Sequence, residues 1–236
     1  GTPIPLKRGL PLYPTLDEHV RNDPRILAVY MEARRRYREA ARAHHNFTHV
    51  MRDLHRALVI AADESSVNYS ILIPSVLLHD IGFCVPAFKK EGHDLAGAHL
   101  VAQMLPPLAY EDKEVSAIAH CVRAHKGHAE IPESLEAKIL YDADVLEKAG
   151  LVFLLFGGTI IGEFEESLEF FLEREIHHRS REIAGGFFTR KGRELDGGRL
   201  EQVLSLFSRI QTEITQERPD YRVSEQNLWI KGAPSA

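Results

Sequence analysis

The sequence predicts an all-α fold, one helical bundle entered by a proline-rich arm, and three observations carry that prediction. Apolar residues recur at three- and four-residue spacing along most of the 236 residues, sustained period-two alternation occurs nowhere, and the Gly and Pro breaks between periodic runs are turn-sized rather than linker-sized. With 44% hydrophobic and 27% charged residues, the chain can bury one substantial core or two small ones.

Pro3, Pro5, Pro11 and Pro14 make residues 1–14 an extended arm, since proline fixes φ and removes a backbone donor. Thr15-Leu-Asp-Glu18 then reads as a capping box, and Asp23 before Pro24 as a second cap with proline in the first turn. Ile26, Tyr30, Ala33, Tyr37 and Ala40 follow at helical spacing and predict one long amphipathic helix, with Arg34, Arg35, Arg36 and Arg38 on its solvated face. Further helices are expected at 48–64, 69–80, 92–105, 111–126, 134–149, 160–184 and 198–217. The breaks fall at Gly82, Gly92, Pro106-Pro107, Gly127 to Pro132, Gly157-Gly158 and Gly185-Gly186. The bundle thus occupies 15–218, and residues 219–236, which include the only tryptophan, Trp229, form a tail that packs back on it.

Charge and composition exclude several functions. A net charge of −5 argues against broad electrostatic binding to a nucleic-acid polymer or an anionic membrane. No apolar run approaches the ~20 residues of a membrane span and the amino terminus lacks a secretion signal, so a cytoplasmic protein is expected, with homo-oligomers left open. Cys84 and Cys121 are too few for a disulfide framework. No glycine-rich phosphate loop precedes a helix, which excludes Walker-type nucleotide chemistry. Histidine is the excess: 13 residues, far more than a helical surface needs.

These histidines have an order. The apolar run Ile71 to Leu78 closes in His79-Asp80-Ile81-Gly82, placing two ionisable side chains at the end of a core helix, a costly position unless they are paired or metal-bound. At roughly 100° per residue, His93 shares a stripe with Gly97, Leu100 and Met104 and faces inward, whereas His99 is a rim residue. By the same test His125 joins Val115, Ile118 and Val122, while His120 points outward. Either inward histidine, considered singly, also fits a hydrogen-bonded core residue. Asp142 and Asp144 stand about 200° apart on their helix, so only one can face a shared site. Asp144 shares a face with Leu140 and Leu151 and is the candidate; the competing reading leaves both solvated, with Lys148 pairing with Asp144 across one turn.

In order, a first His, then His-Asp, then a late Asp in an all-helical chain resembles the HD-domain superfamily of metal-dependent phosphohydrolases, in its small bacterial form. The matching residues are His49, His79, Asp80 and Asp144, in the contexts Leu-Leu-His-Asp-Ile-Gly and Tyr-Asp-Ala-Asp-Val-Leu. His93, in His-x-x-x-Gly-Ala, and His125 resemble the extra histidines of members that bind two metals. The resemblance spans approximately residues 44–215, including Phe188-Thr-Arg-Lys-Gly-Arg193 and Arg199. His49 rests on it alone, because periodicity groups His49 with Asp53 and Arg56 rather than with the apolar Val50, Leu54 and Leu58. His45-Asn46-Phe47-Thr48-His49 is also similar to the His-Asn-x-x-His signature of cyclic-nucleotide phosphodiesterases, which gives His45 a proton donor's role; helix capping by Asn46 or Thr48 explains the same residues equally well.

What the resemblance implies is a metal-activated water attacking a phosphate ester. His49, His79, Asp80 and Asp144 hold the first of one or two divalent transition-metal ions, and His93 and His125 complete a second site bridged by Asp80. Such nitrogen and oxygen ligands suit Mn, Fe, Co, Ni or Zn and admit Mg. The substrate is a nucleotide or other small phosphate ester rather than a nucleic-acid polymer, with Arg123, Lys126, Arg193 and Arg199 as candidate substrate-binding cations and Asp80 and His45 as catalytic residues. Phe83 stands where some relatives carry a Lys, Arg or Glu, so the general acid falls to His45, Lys89 or Lys90. Two other readings remain: a di-iron oxygenase using the same six ligand types, and a non-catalytic nucleotide-binding regulator.

Overall fold

Eight consecutive buried side chains, Ile71 to Leu78, mark the centre of the molecule. The computed structural model describes residues 16–128 and 130–217. The expected arm over 1–14, the Thr15 half of the first capping box and the tail over 219–236 lie outside them. Among the described residues every regular element is helical, and no single helix is long and apolar enough to cross a membrane.

The chain enters through α1 (Asp17–Asn22) and the long α2 (Arg25–Ala40), which buries Ile26, Val29, Ala33 and Tyr37. Asp23 accepts from the Arg25 amide at 3.1 Å, as its position before Pro24 predicts. α3 (Phe47–Ala61) is capped by Asn46, which accepts from the amides of Thr48 and His49. α4 (Tyr69–Leu78) is apolar on all sides because it is surrounded; α2, α3, α7 (Asp112–Ala124) and α8 (Leu135–Glu147) pack on it. A 3-10 turn over Ile81–Cys84 and the short α5 (Phe88–Glu91) lead to α6 (His93–Met104), which lies against both that turn and α7.

Gly82 is required by this crossing. A Cβ there would stand 1.9 Å from the His93 carbonyl oxygen and 2.7 Å from the Gly97 nitrogen, so the backbone of α6 approaches as closely as it does only because residue 82 has no side chain.

The expected helix over 160–184, preceded by a break at Gly157-Gly158, is two helices. α9 (Val152–Phe164) runs through both glycines, Gly157 giving room to the Phe171 ring, and the chain turns instead at Glu165, in the left-handed region with φ 52°, before Ser167 caps α10 (Leu168–Gly185). Here glycine serves helix packing, which periodicity cannot distinguish from a break. α11 (Arg190–Asp196) and α12 (Arg199–Glu217) complete the chain. α9, α10 and α12 share a second, smaller core of Phe153, Ile160, Phe171, Leu172, Val203 and Phe207. The main core belongs to the helices before α9, with Leu200 of α12 joining it.

Candidate metal centre and its cavity

Four helix ends and two helix interiors converge on Asp80. Its Oδ2 lies 3.2 Å from His49 Nε2 and 3.3 Å from His79 Nε2, while its Oδ1 lies 3.4 Å from both His93 Nε2 and His125 Nε2. One carboxylate therefore faces two histidine pairs, one pair per oxygen. Within each pair the Nε2 atoms approach to 3.3 Å.

The local fold presets these rings. His79, just past the end of α4, donates Nδ1–H to the Val76 carbonyl at 2.8 Å, and His125, just past the end of α7, donates Nδ1–H to the Val122 carbonyl at 2.6 Å. Each bond fixes the tautomer and leaves the Nε2 lone pair turned toward Asp80. His93 opens α6 with its ring stacked on Phe83 at 4.2 Å.

Two sets of potential ligands result. His49, Asp53, His79 and Asp144 offer atoms within 4.8 Å of one another, as do Asp80, His93 and His125. Asp53 of α3 was not singled out as a ligand from the sequence; its Oδ2 lies 3.4 Å from His49 Nε2 and its Oδ1 accepts from Arg56. Asp53 Oδ2, Asp80 Oδ1 and Asp144 Oδ1 are buried without a hydrogen-bond partner. Such orphaned oxygens, set among imidazole nitrogens, fit divalent cations. The electrostatics agree. Burial opposes charge on His49, yet Asp53, Asp80 and Glu147 hold its pKa up to about 10; burial likewise opposes ionisation of Asp80, but His79 and Lys126 hold it well below the usual carboxylate range. The carboxylates that retain a proton on His49 would equally retain a metal.

Beside the ligands opens a cavity of about 320 Å³. Its lining includes His45, His93, His125, Lys126, Asp144 and Lys148, together with Phe153, Ile160, Phe164, Glu175, Arg179 and Glu182. His45 is bonded through Nδ1 to Glu163 Oε1 at 2.6 Å, and Glu163 also accepts from the amides of His44 and His45. Burial opposes the Glu163 charge, but those three contacts bring its pKa down to about 2; burial pushes the His45 ring down. Lys148 and Lys126 reach Asp144 Oδ2 at 2.6 and 3.4 Å.

The structure brings together His49, His79, Asp80, His93, His125 and Asp144, with His45 and Lys126 on the same cavity. It does not bring Arg123, Arg193 or Arg199. Arg123 pairs with Glu130 at 2.5 Å, Arg193 donates to the Phe187 carbonyl at 2.7 Å, and Arg199 is spent on the Asp196 and Leu195 carbonyls. His99 is exposed, and His120, which joins Glu130, lies outside both ligand sets. Asp142 is neither solvated nor at the cavity: it accepts from the Phe188 amide and from the Thr189 amide and hydroxyl. Lys148, Glu147 and Glu163 join Asp53 among the residues missed as site members. Asp53 carried a signal in its position four residues after His49, and Lys148 in its pairing with Asp144 across one turn, which forms at 2.6 Å.

Residues 46–149 match the family model of the HD domain. Over 163 residues, 60% of this chain, the sequence is 26% identical to the 3'-5' exoribonuclease YhaM of Listeria welshimeri and 27% identical to that of Listeria monocytogenes, covering 52% of each. The chain thus spans about half the length of the curated relatives it matches. In structure it is similar to a predicted HD superfamily hydrolase from an uncultured Thermotogales bacterium, with TM-score 0.55 and 23% identity over 85% of this chain and 99% of that one. It is also similar to a protein of Lactobacillus plantarum, with TM-score 0.65 and 16% identity over 82% and 98%. These likenesses establish the fold. The segment that matches the HD-domain model contains every residue of the two ligand sets.

Proposed function

We propose that this protein is a metal-dependent phosphohydrolase acting on a nucleotide or similar small phosphate ester. The observation that carries the reading is Asp80 between two histidine pairs, flanked by Asp53 and Asp144, at the mouth of a cavity with lysines beside it. His49, Asp53, His79 and Asp144 would hold one divalent ion and His93 and His125 a second, with Asp80 shared. Bound ions lower the pKa of water and neutralise developing charge on phosphoryl oxygens.

The chain's own groups supply the rest. Lys126 and Lys148, at the rim of the ligand set, offer ammonium groups to phosphate oxygens that the ligands do not reach. His45 commits Nδ1 to Glu163 and so exchanges its proton at Nε2, where it serves the leaving oxygen. Phe83 packs on the rings of both His45 and His93 and keeps that side of the site dry. A cavity of about 320 Å³ accommodates one nucleotide, and with a net charge of −5 this favours a small substrate over a polymer, although the Listeria relatives are named as exoribonucleases.

Hydrolysis of mononucleotides and of a short RNA by the chain loaded with Mn²⁺, Co²⁺, Ni²⁺ or Zn²⁺ tests this. Phosphate release that ends with EDTA and returns with metal supports the reading. Shortening of RNA with no turnover of mononucleotides would reassign the substrate, and substrate-dependent oxygen uptake would replace hydrolysis with oxygenation.

A further inference from the structure

One helix is apolar on every side yet covered on only one. Six of the eleven large apolar side chains that stand exposed among the described residues fall between Leu151 and Phe170. Three of them, Leu151, Val152 and Leu155, open α9 and are 61%, 56% and 77% exposed. The inner side of α9 is satisfied, since Phe153 and Ile160 enter the second core. At roughly 100° per residue, Leu151, Leu155, Gly158 and Gly162 share one outward stripe. A Cβ at Gly158 or Gly162 would meet nothing within 4 Å, so no contact among the described residues requires glycine at either position. No charged residue occurs from Leu151 to Gly162. A helix apolar all round belongs in an interior, and this one has half of an interior.

The two ends of α9 identify what covers it. Its N-terminus has no side-chain cap and no acidic residue in the first turn, and its last turn has no basic residue, so the element answers neither pole of its own dipole. Gly150, just before it, packs on the stem of Arg199, whose guanidinium donates to the Asp196 and Leu195 carbonyls and pairs with no carboxylate among the described residues. Glu165, just past the other end, is exposed and makes no ion pair among them. With a cation and a positive pole at one end, an anion and a negative pole at the other, and a neutral stripe between, the face is complementary to itself turned end for end. We propose that α9 is a dimerisation helix, packing antiparallel on α9 of a second copy of this chain about a two-fold axis near Gly158. Gly158 is midway between Leu151 and Glu165, so such an axis sets Glu165 beside the N-terminus of the facing helix and Leu155 over the partner's Gly162. Glycine at both positions lets the two backbones approach closely. A bilayer is the other apolar surface on offer, but α9 carries no lysine or arginine, and Glu165, Glu169 and Glu173 stand exposed after it, where anionic headgroups would repel them. The inference goes beyond the phosphohydrolase reading and does not rest on it.

Sedimentation velocity on the full chain should give a dimer at micromolar concentration. Leu155→Asp alters a side chain that the single chain leaves mostly exposed, so it should give a monomer of unchanged helicity by circular dichroism. Gly158→Leu tests the close approach. Leucine favours a helix more than glycine does and meets no atom of its own chain there, so helicity should hold or rise. At the crossing, however, the added side chain forces the two helices apart and should weaken dimerisation about tenfold or more. Loss of the dimer from a variant that is at least as helical cannot come from unfolding. A wild type that is monomeric overturns the proposal, as does a dimer that survives Leu155→Asp or one that Gly158→Leu tightens by adding apolar area. Flotation of a monomeric wild type with vesicles of anionic lipid would overturn it in favour of a bilayer.

Discussion

Glu163 shows how one side chain sets the state of another. With its pKa near 2 it is an anion throughout the physiological range, and it holds the Nδ1 proton of His45 while tying the His44–His45 backbone to α9. Glu163→Gln keeps the shape but removes one of the two charges that raise the His45 pKa, so burial is opposed by Asp80 alone. We expect kcat to fall about 10²–10⁴-fold, the usual range for losing a positioned acid or base. The limb of the pH profile that reports His45 should move to lower pH, with metal content unchanged. An unchanged profile would remove His45 from proton transfer. His99→Ala, an exposed rim residue, should leave metal content and activity within twofold, and a loss of metal would show that the inward faces of α6 are misassigned. At this scale the convergence on Asp80 was legible wherever a side chain sat on an apolar stripe or closed an apolar helix, as His79, His93 and His125 do. It failed at His49 and Asp53, whose α3 face looks polar and therefore solvated. That face is buried because Asp80, Asp144 and Glu147 meet it, and complementary charges on distant segments leave no local periodicity.

Among the elements, the junction of α4 with α6 decides whether the second histidine pair exists. Gly82→Ala would drive a methyl into the His93 carbonyl, so α6 must move away. We expect a folded protein of lower stability, in which metal held by His93 and His125 is lost before metal held by His49 and His79. Titration of the variant with Mn²⁺, followed by paramagnetic resonance, reads the two separately; two undisturbed sites would contradict the packing argument. Asp142 has the opposite character, structural and remote from the cavity. Asp142→Ala strips three hydrogen bonds from the turn between α10 and α11, leaving buried donors, and should cost about 2–3 kcal/mol in urea unfolding with the metal ligands intact. Helices starting at Asn46 or ending at Gly186 were legible from their caps. The turn at Glu165 was not, because a left-handed glutamate leaves no compositional mark and the glycines nearby serve packing.

For the molecule as a whole, two cores divide the work. The main core, built on α4 and α8, carries the two sets of candidate ligands, while α9 and α10, packed with α12 in the second core, form the outer wall of the cavity and bring Arg179 and Glu182 to it and Glu163 to His45. The all-α class and the ordered His and Asp set were open to reading in the chain, because ligands spaced along a sequence keep their order in any fold. The cations were not: Arg123, Arg193 and Arg199 found carboxylates or carbonyls of their own, and Lys148, read as a simple helix pair, stands at the cavity. Which charge is already compensated is a property of the assembled fold. In the proposed function Asp80 joins two metal sites. Metal per chain, measured by mass spectrometry after loading with Mn²⁺ and removal of the excess, tests it most directly, with Asp80→Asn alongside. Two ions per chain in the wild type and fewer than one in the variant are predicted. A single ion, or two that survive in Asp80→Asn, would contradict it.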